Sequence, residues 1–257
     1  MPLHLFAYYE NLGAGAFKEI NVVRDDVLTR TSDTRFMIPP GLHNIYFGFV
    51  GGVTLGDAYI FTPSLETKKF RCRIIPKKVG DVVIDKDNPE VWVLETPLRL
   101  MDTEELSLYA QNTSDASSHT VGVFALGLDT LPPPPAGEKI LVRAVGGTTL
   151  TPYQWTTVKV IPEVQLEAGT YALVGFIPIS AGCIACRVII PGQVWRPGVI
   201  GIAGGEPTAL DFAMGLFDKL PKYEMGRFAH ISIPEFQFLS KSADTWEVVY
   251  MYLVKVA

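Results

Sequence analysis

Gly41-Leu42-His43-Asn44-Ile45-Tyr46-Phe47 and Gly169-Thr170-Tyr171-Ala172-Leu173-Val174-Gly175 lie 128 positions apart and can be laid over one another without a gap. At the same spacing Phe36 and Ile38 fall on Val164 and Leu166, and Pro63 falls on Pro191. Farther on, Leu106-Ser107-Leu108-Tyr109 matches Phe236-Gln237-Phe238-Leu239 at a similar spacing. Each series closes with a polar turn and a final apolar strand, His119 to Leu126 in one and Trp246 to Val254 in the other. Duplication of a single unit accounts for this matched spacing.

Between the two series stands Leu131-Pro132-Pro133-Pro134-Pro135-Ala136-Gly137. Consecutive prolines donate no ladder hydrogen bonds and favour an extended, semi-rigid spacer. The expected organisation is therefore a unit over 1–131, a linker over 132–137 and a second unit over 138–257. The first unit holds 12 basic and 17 acidic side chains and the second holds 10 of each, so the net −5 lies in the first.

Within each unit the apolar period is two. Phe17 to Val22, Thr157 to Ile161 and Ile231 to Ile233 alternate as half-buried strands do. Ile45 to Val50 and Arg187 to Ile190 are apolar nearly throughout, as strands covered on both faces are. Glycine and proline clusters (Pro39-Pro40-Gly41, Gly51-Gly52, Gly146-Gly147, Gly204-Gly205) punctuate the chain at short intervals. About eight strands per unit predict an all-β chain of two tandem eight-stranded jelly rolls. One short helix is expected from Pro207, as its first residue, to Leu220, because Ala209, Leu210, Ala213, Leu216 and Phe217 recur at helical spacing. The matching stretch of the first unit, Val79 to Glu90, lacks that pattern and reads as a surface connection.

With 48% hydrophobic and 19% charged residues, the chain has the composition of a folded protein, not a disordered one. No run of apolar residues predicts a transmembrane helix, and the opening MPLHLFAYYENLG has no basic stretch ahead of an apolar one, so export is not expected. The longest basic clusters are Lys68-Lys69 and Lys77-Lys78. A protein that coats nucleic acid needs many phosphate-neutralising cations, so direct nucleic-acid binding is not expected.

Chemistry-bearing motifs are few. Cys183-Ile184-Ala185-Cys186 has the spacing of a zinc or redox pair, but only Cys72 and scattered histidines could complete a metal site. In a strand, residues three apart point to opposite faces, so these two read as buried, unbridged thiols. His4, His43, His119 and His230 form no metal-binding spacing, and His43 and His230 read as core or interface residues within strands. Asp85-Lys86-Asp87-Asn88-Pro89-Glu90 gathers oxygen ligands but lacks the glycine and distal glutamate of a calcium loop. Asp25-Asp26 and Glu104-Glu105 are sequence neighbours whose side chains should diverge, and Gly13-Ala14-Gly15 lacks a third glycine. No catalytic, cofactor-binding or metal-binding residue is assigned, no cofactor is expected, and the chain does not read as an enzyme. Most of the aromatics, among them Tyr8-Tyr9, Tyr46, Phe47, Phe49, Trp195, Phe236, Phe238, Trp246, Tyr250 and Tyr252, read as sandwich core, with the rest available for subunit contacts.

A duplicated eight-stranded unit with a short linker and no catalytic constellation resembles the double jelly-roll major capsid proteins of the adenovirus, tectivirus and corticovirus lineage. The resemblance rests on architecture and covers the whole chain. It implies a structural virion protein of a small tailless icosahedral virus, made in the host cytoplasm. It also implies a homotrimer whose six rolls form a pseudo-hexagonal capsomer, contacting neighbouring capsomers and other virion proteins such as penton or minor capsid proteins. Where such capsids enclose an internal membrane, the N-terminal part of the subunit faces it. Two other classes fit a β-rich duplication: a two-domain β-sandwich binding module (a minor capsid, spike or glycan-binding protein) and a hydrolase built on paired rolls. The first should carry an exposed aromatic cluster or stalk, and the second a carboxylate or histidine constellation.

Overall fold

The computed structural model describes residues 3–15, 17–67, 78–85, 87, 91–114 and 116–257. Ahead of the proline segment the chain forms β1 (Leu3–Leu12), β2 (Lys18–Glu19), β3 (Phe36–Met37), β4 (Asn44–Gly51), β5 (Leu55–Phe61), α1 (Pro63–Thr67), β6 (Lys78–Val79), β7 (Trp92–Arg99), β8 (Glu105–Asn112) and β9 (Ser118–Gly127). After it come β10 (Lys139–Gly146), β11 (Thr156–Val158), β12 (Ile161–Pro162), β13 (Thr170–Ser180), β14 (Cys183–Ile189), β15 (Gly198–Ile200) and β16 (Ile202–Ala203). The chain closes with α2 (Glu206–Lys219), β17 (Gly226–Ala229), β18 (Glu235–Ser240) and β19 (Glu247–Lys255).

The later strands form two sheets, β10-β19-β13-β17 and β11-β18-β14-β15. Leaving aside the two-residue β12 and β16, one sheet takes the first, last, third and sixth strands and the other takes the second, seventh, fourth and fifth. That is the wrapping of a jelly roll. The earlier strands repeat it, with β1-β9-β4-β7 in one sheet and β2-β8-β5 in the other. The stretch between α1 and β6, where the remaining strand of that second sheet is expected, lies outside the described residues, as do Lys68, Lys69, Cys72 and Lys77. The fold is all-β and jelly-roll in type.

Register repeats along with order. The β4–β9 ladder shifts between Ile45 and Phe47, and the β13–β19 ladder shifts between Leu173 and Gly175, a bulge at the same place 128 positions on. The glycines that open these strands, Gly41 and Gly169, both take positive φ, at 82° and 151°. Tyr59 faces Tyr109 as Arg187 faces Gln237. Leu108 therefore corresponds to Phe236, correcting by two residues the match read from the sequence.

Other expectations are corrected as well. Among the described residues there are two helices, because α1 adds a single turn after β5, and α2 begins at Glu206 with Pro207 second and Leu220 as its C-cap. Ile231 to Ile233 is a turn outside the strands, with Ile231 82% exposed, because the chain must reverse there between β17 and β18. The stretch read as a surface connection places Val82, Val83 and Ile84 in the core. The Ile84 carbonyl accepts from the Ala203 amide at 3.0 Å, and Lys241 Nζ donates to Asp81 at 2.9 Å. Apolar side chains displaced from one sheet edge find burial against the other roll. Among the described residues no helix is long and apolar enough to cross a membrane.

Candidate functional site

The site is built on β1, which is buried on both faces. Phe6 and Tyr8 point into the first roll's own core with Phe36 and Phe124. Leu3, Leu5 and Ala7 point the other way, joining Phe47, Phe49, Val121, Val123 and Ala125 in a cluster that runs on into the second roll. The outer face of the β1-β9-β4 sheet is thus apolar and packs on the second roll's β11-β18-β14-β15 sheet. The Leu5 amide donates to the Arg196 carbonyl at 3.0 Å. Gly198 lies so close that a Cβ there would stand 2.7 Å from Leu5 Cδ2.

A polar network crosses this seam. Arg187 projects from β14 toward the first roll, ion-paired through Nη1 with Asp25, and both side chains are 1% exposed. Its Nε donates to Gln237 Oε1 at 2.7 Å and its Nη1 to the Leu5 carbonyl at 3.2 Å, while its guanidinium lies 4.3 Å from the centroid of the Trp155 ring. Asp26 lies 3.5 Å from Arg187 Nη2 and pairs with Arg196, which also donates to Gln237 at 2.6 Å. The Arg196 amide donates to His4 Nδ1 at 3.2 Å, so the ring proton sits on Nε2 and goes to Asp25 at 3.1 Å. Burial pushes the His4 pKa down and keeps the ring neutral. Burial also pushes Asp25 up, but the His4 hydrogen bond, Arg187 and the Val27 amide together hold its carboxyl well below the ordinary range.

An aromatic stack extends the seam, with the Tyr9 and Tyr153 rings 4.0 Å apart and Tyr9 Oη 2.9 Å from His119 Nδ1. Tyr153 holds this place with φ at 57°, a strained backbone for a residue with a side chain.

Two sheet faces remain on the outside of this pair. On the first roll, Tyr59 and Tyr109 stack at 5.0 Å on the β2-β8-β5 sheet, with Phe17 at 5.3 Å from Tyr59 and Phe61 edge-on to Tyr109 at 6.0 Å. All four rings are half-buried. Arg35 edges this face, held by Glu19 at 2.5 Å and Glu105 at 3.2 Å. On the second roll, α2 lies across the outer face of the β10-β19-β13 sheet. Phe217 stacks on Tyr252 at 4.4 Å, and Gly175 beneath leaves room for that ring, since a Cβ would come within 2.4 Å of it. Glu206 ties the start of the helix to Arg143 and Tyr250.

The residues singled out from sequence fall as follows. Asp25 and Asp26 do not diverge: both engage Arg187, because the turn after Val23 aims them at the seam. Cys183 and Cys186 are free and fully buried, with thiols raised by burial. A register shift between Cys183 and Ala185 interrupts the alternation on which their opposite-face reading rested. His43 precedes β4, bonding Asp102 at 2.7 Å and Asp129 at 3.0 Å, and His230 follows β17, accepting from the Gly169 amide at 3.2 Å, so neither lies within a strand. Lys86, Asn88, Pro89 and Glu90 of the acidic turn lie outside the described residues. Among the described residues, no group of three or more His, Cys, Asp or Glu side chains is arranged to hold a metal ion. Sequence reasoning missed His4, Arg187, Arg196 and Gln237. One signal was available: Arg187 is a single charge inside the apolar run Cys183 to Ile190, and a charge in a buried strand requires a partner.

No family model matches the chain, and none of the curated proteins compared with it matches. Among solved structures, the crystal structure of the major capsid protein P2 from Bacteriophage PM2 is similar over 94% of this chain and 98% of that chain, at 11% sequence identity and a TM-score of 0.24.

Proposed function

We propose that this chain is a structural subunit of a viral shell, in which three copies close into a ring of six jelly rolls. One observation carries the reading: the two rolls pack front to back, the β1-β9-β4 face of one against the β11-β18-β14-β15 face of the next. A front-to-back contact uses two different surfaces, so it leaves one of each kind free at the ends of the pair. Such a contact repeats between copies and closes into a ring when its rotation allows. Two fused units per chain then let three chains fill six positions.

The seam suits that role. Its ionic network is enclosed by apolar packing, which fixes the angle between the rolls and transmits it to the assembly. His4, Asp25 and Arg187 are turned toward one another and away from solvent. A net charge of −5 argues against direct packaging of nucleic acid, leaving that task, and the closing of vertices, to other virion proteins.

The test is light scattering on the purified chain, with negative-stain imaging, at neutral pH and at low and high salt. The expected particle is three times the 28.2 kDa chain, hexagonal in outline and persistent in high salt. A monomer at micromolar concentration would overturn the shell reading in favour of a two-domain binding module.

A further inference from the structure

The face of the second roll that receives the first roll has a counterpart on the first roll, and the register identifies it residue by residue. Tyr59 faces Tyr109 across β5 and β8 as Arg187 faces Gln237 across β14 and β18. On the neighbouring strand, Glu19 faces Tyr109 as Thr157 faces Gln237. Two residues earlier, Phe17 lies against Tyr59 as Trp155 lies against Arg187. The aromatic group Phe17, Tyr59 and Tyr109 therefore occupies the positions that Trp155, Arg187 and Gln237 hold at the centre of the seam. In the second roll Arg187 and Gln237 are buried beneath Leu5, Asp25 and their neighbours, with Trp155 half-buried beside them. In the first roll all three rings are half-buried, with no second roll over them.

The opposite side has its own counterpart. Leu5 faces Ala125 in the β1–β9 ladder, and Leu141 faces Tyr252 in the β10–β19 ladder. The bulge aligns these pairs, since Ile45 faces Leu126 and Leu173 faces Leu253. Leu141 is thus the Leu5 of the second roll. Leu5 is 0% exposed and Leu141 is 46% exposed. An apolar side chain that the fold buries in one copy of a contact stands open in the other.

We infer that the half-buried aromatic face of the first roll, centred on Tyr59 and Tyr109, docks a second copy of this chain through the face of that copy's second roll bearing Leu141 and α2. This rests on the shell-subunit reading and names the surfaces it uses. The occupant follows from the seam, in which the corresponding faces already meet within one chain. The chemistry differs in one respect. The seam joins an arginine to carboxylates, whereas the outer contact joins tyrosine and phenylalanine rings to Leu141 and to Met214, which is 44% exposed on α2. Aromatic rings and methionine are the residues enriched in such contacts.

The test uses two full-length variants, Tyr59→Glu and Leu141→Glu, each checked for native circular dichroism and melting. Each should weaken self-association roughly 30-fold or more, as substitution of a central contact residue does, and run as a monomer where the wild type is a trimer. Mixed in equal amounts, they should form a dimer and nothing larger, because one retains the first-roll face and the other the second-roll face. Hydroxyl-radical footprinting of the wild type adds a readout that needs no variant: Tyr59, Tyr109 and Met214 should lose reactivity as the protein is concentrated. A trimeric wild type whose assembly either substitution leaves intact, or variants that stay monomeric when mixed, or unprotected tyrosines, would overturn this pair of faces while leaving the shell reading standing. A monomeric wild type would overturn both.

Discussion

Arg187 and Asp25, 162 residues apart in the chain, form an ion pair across the seam with both side chains all but removed from solvent. A buried charge stripped of its partner costs far more than the pair contributes over an apolar replacement. Asp25→Ala should therefore destabilise the protein by about 3–5 kcal/mol, and Arg187→Met by a similar amount. The double variant Asp25→Ala/Arg187→Met should lose less than the two costs added together. Urea unfolding of the four proteins measures this, and strict additivity would mean that the pair is not coupled.

Glu247 gives the molecule a pH dependence of identifiable sign. Its side chain is fully buried, with Oε2 accepting from the Thr148 amide at 3.2 Å and Oε1 left without a hydrogen bond. Burial, followed by the nearby Asp244 charge, raises its pKa to about 7. A carboxyl raised on folding favours the native state fully below its ordinary range, and that contribution is lost as pH climbs through about 7. His4 and Asp25 act with the opposite sign: both are lowered on folding, so their contribution is lost as pH falls. Glu247→Gln should flatten the alkaline side only. The difference in stability between the two proteins should change by up to roughly 3 kcal/mol between pH 4 and pH 8. Equal slopes in thermal melts across that range would show that Glu247 titrates as an exposed acid does.

Gly51 ends β4 where the 81–84 segment, buried from Val82 to Ile84, crosses it. A Cβ at this position would stand 2.2 Å from the Asp81 carbonyl oxygen, a backbone atom that cannot rotate away. Gly51→Ala should displace the segment from the seam, at a cost of about 1–3 kcal/mol. It should also weaken the bond from the Ala203 amide to the Ile84 carbonyl, so hydrogen exchange at Ala203 should accelerate while β19 amides exchange as before. Unchanged exchange at Ala203 would mean that the segment accommodates the methyl group by a local shift.

The repeat was readable because it lies in local patterns. Gly41 and Gly169 open equivalent strands, the apolar runs behind them are buried on both faces, and the helical spacing from Ala209 to Leu216 marks α2. Alternation failed where the ladder is irregular. At Cys183 a bulge shifts the count, and at Ile231 an alternating triplet is a turn, since three residues cannot separate a strand from a reversal. The 81–84 segment was misread for a different reason: Val82, Val83 and Ile84 have no period of their own, and their burial depends on a surface supplied by the other roll.

Local pattern in the sequence sufficed for two β-rich units of matched spacing, most of their core strands and a helix from Pro207 to Leu220, because period and turn chemistry act over a few residues. Which faces meet is set by the packing of the two rolls. β1 is apolar on both sides, and nothing local distinguishes Leu5, sealed at the seam, from Leu141, left open on the outer face. Arg187 and Asp25 become partners only when two sheets distant in the chain are brought together, since pairing of buried charges is a property of the enclosed space and not of the segments that enter it.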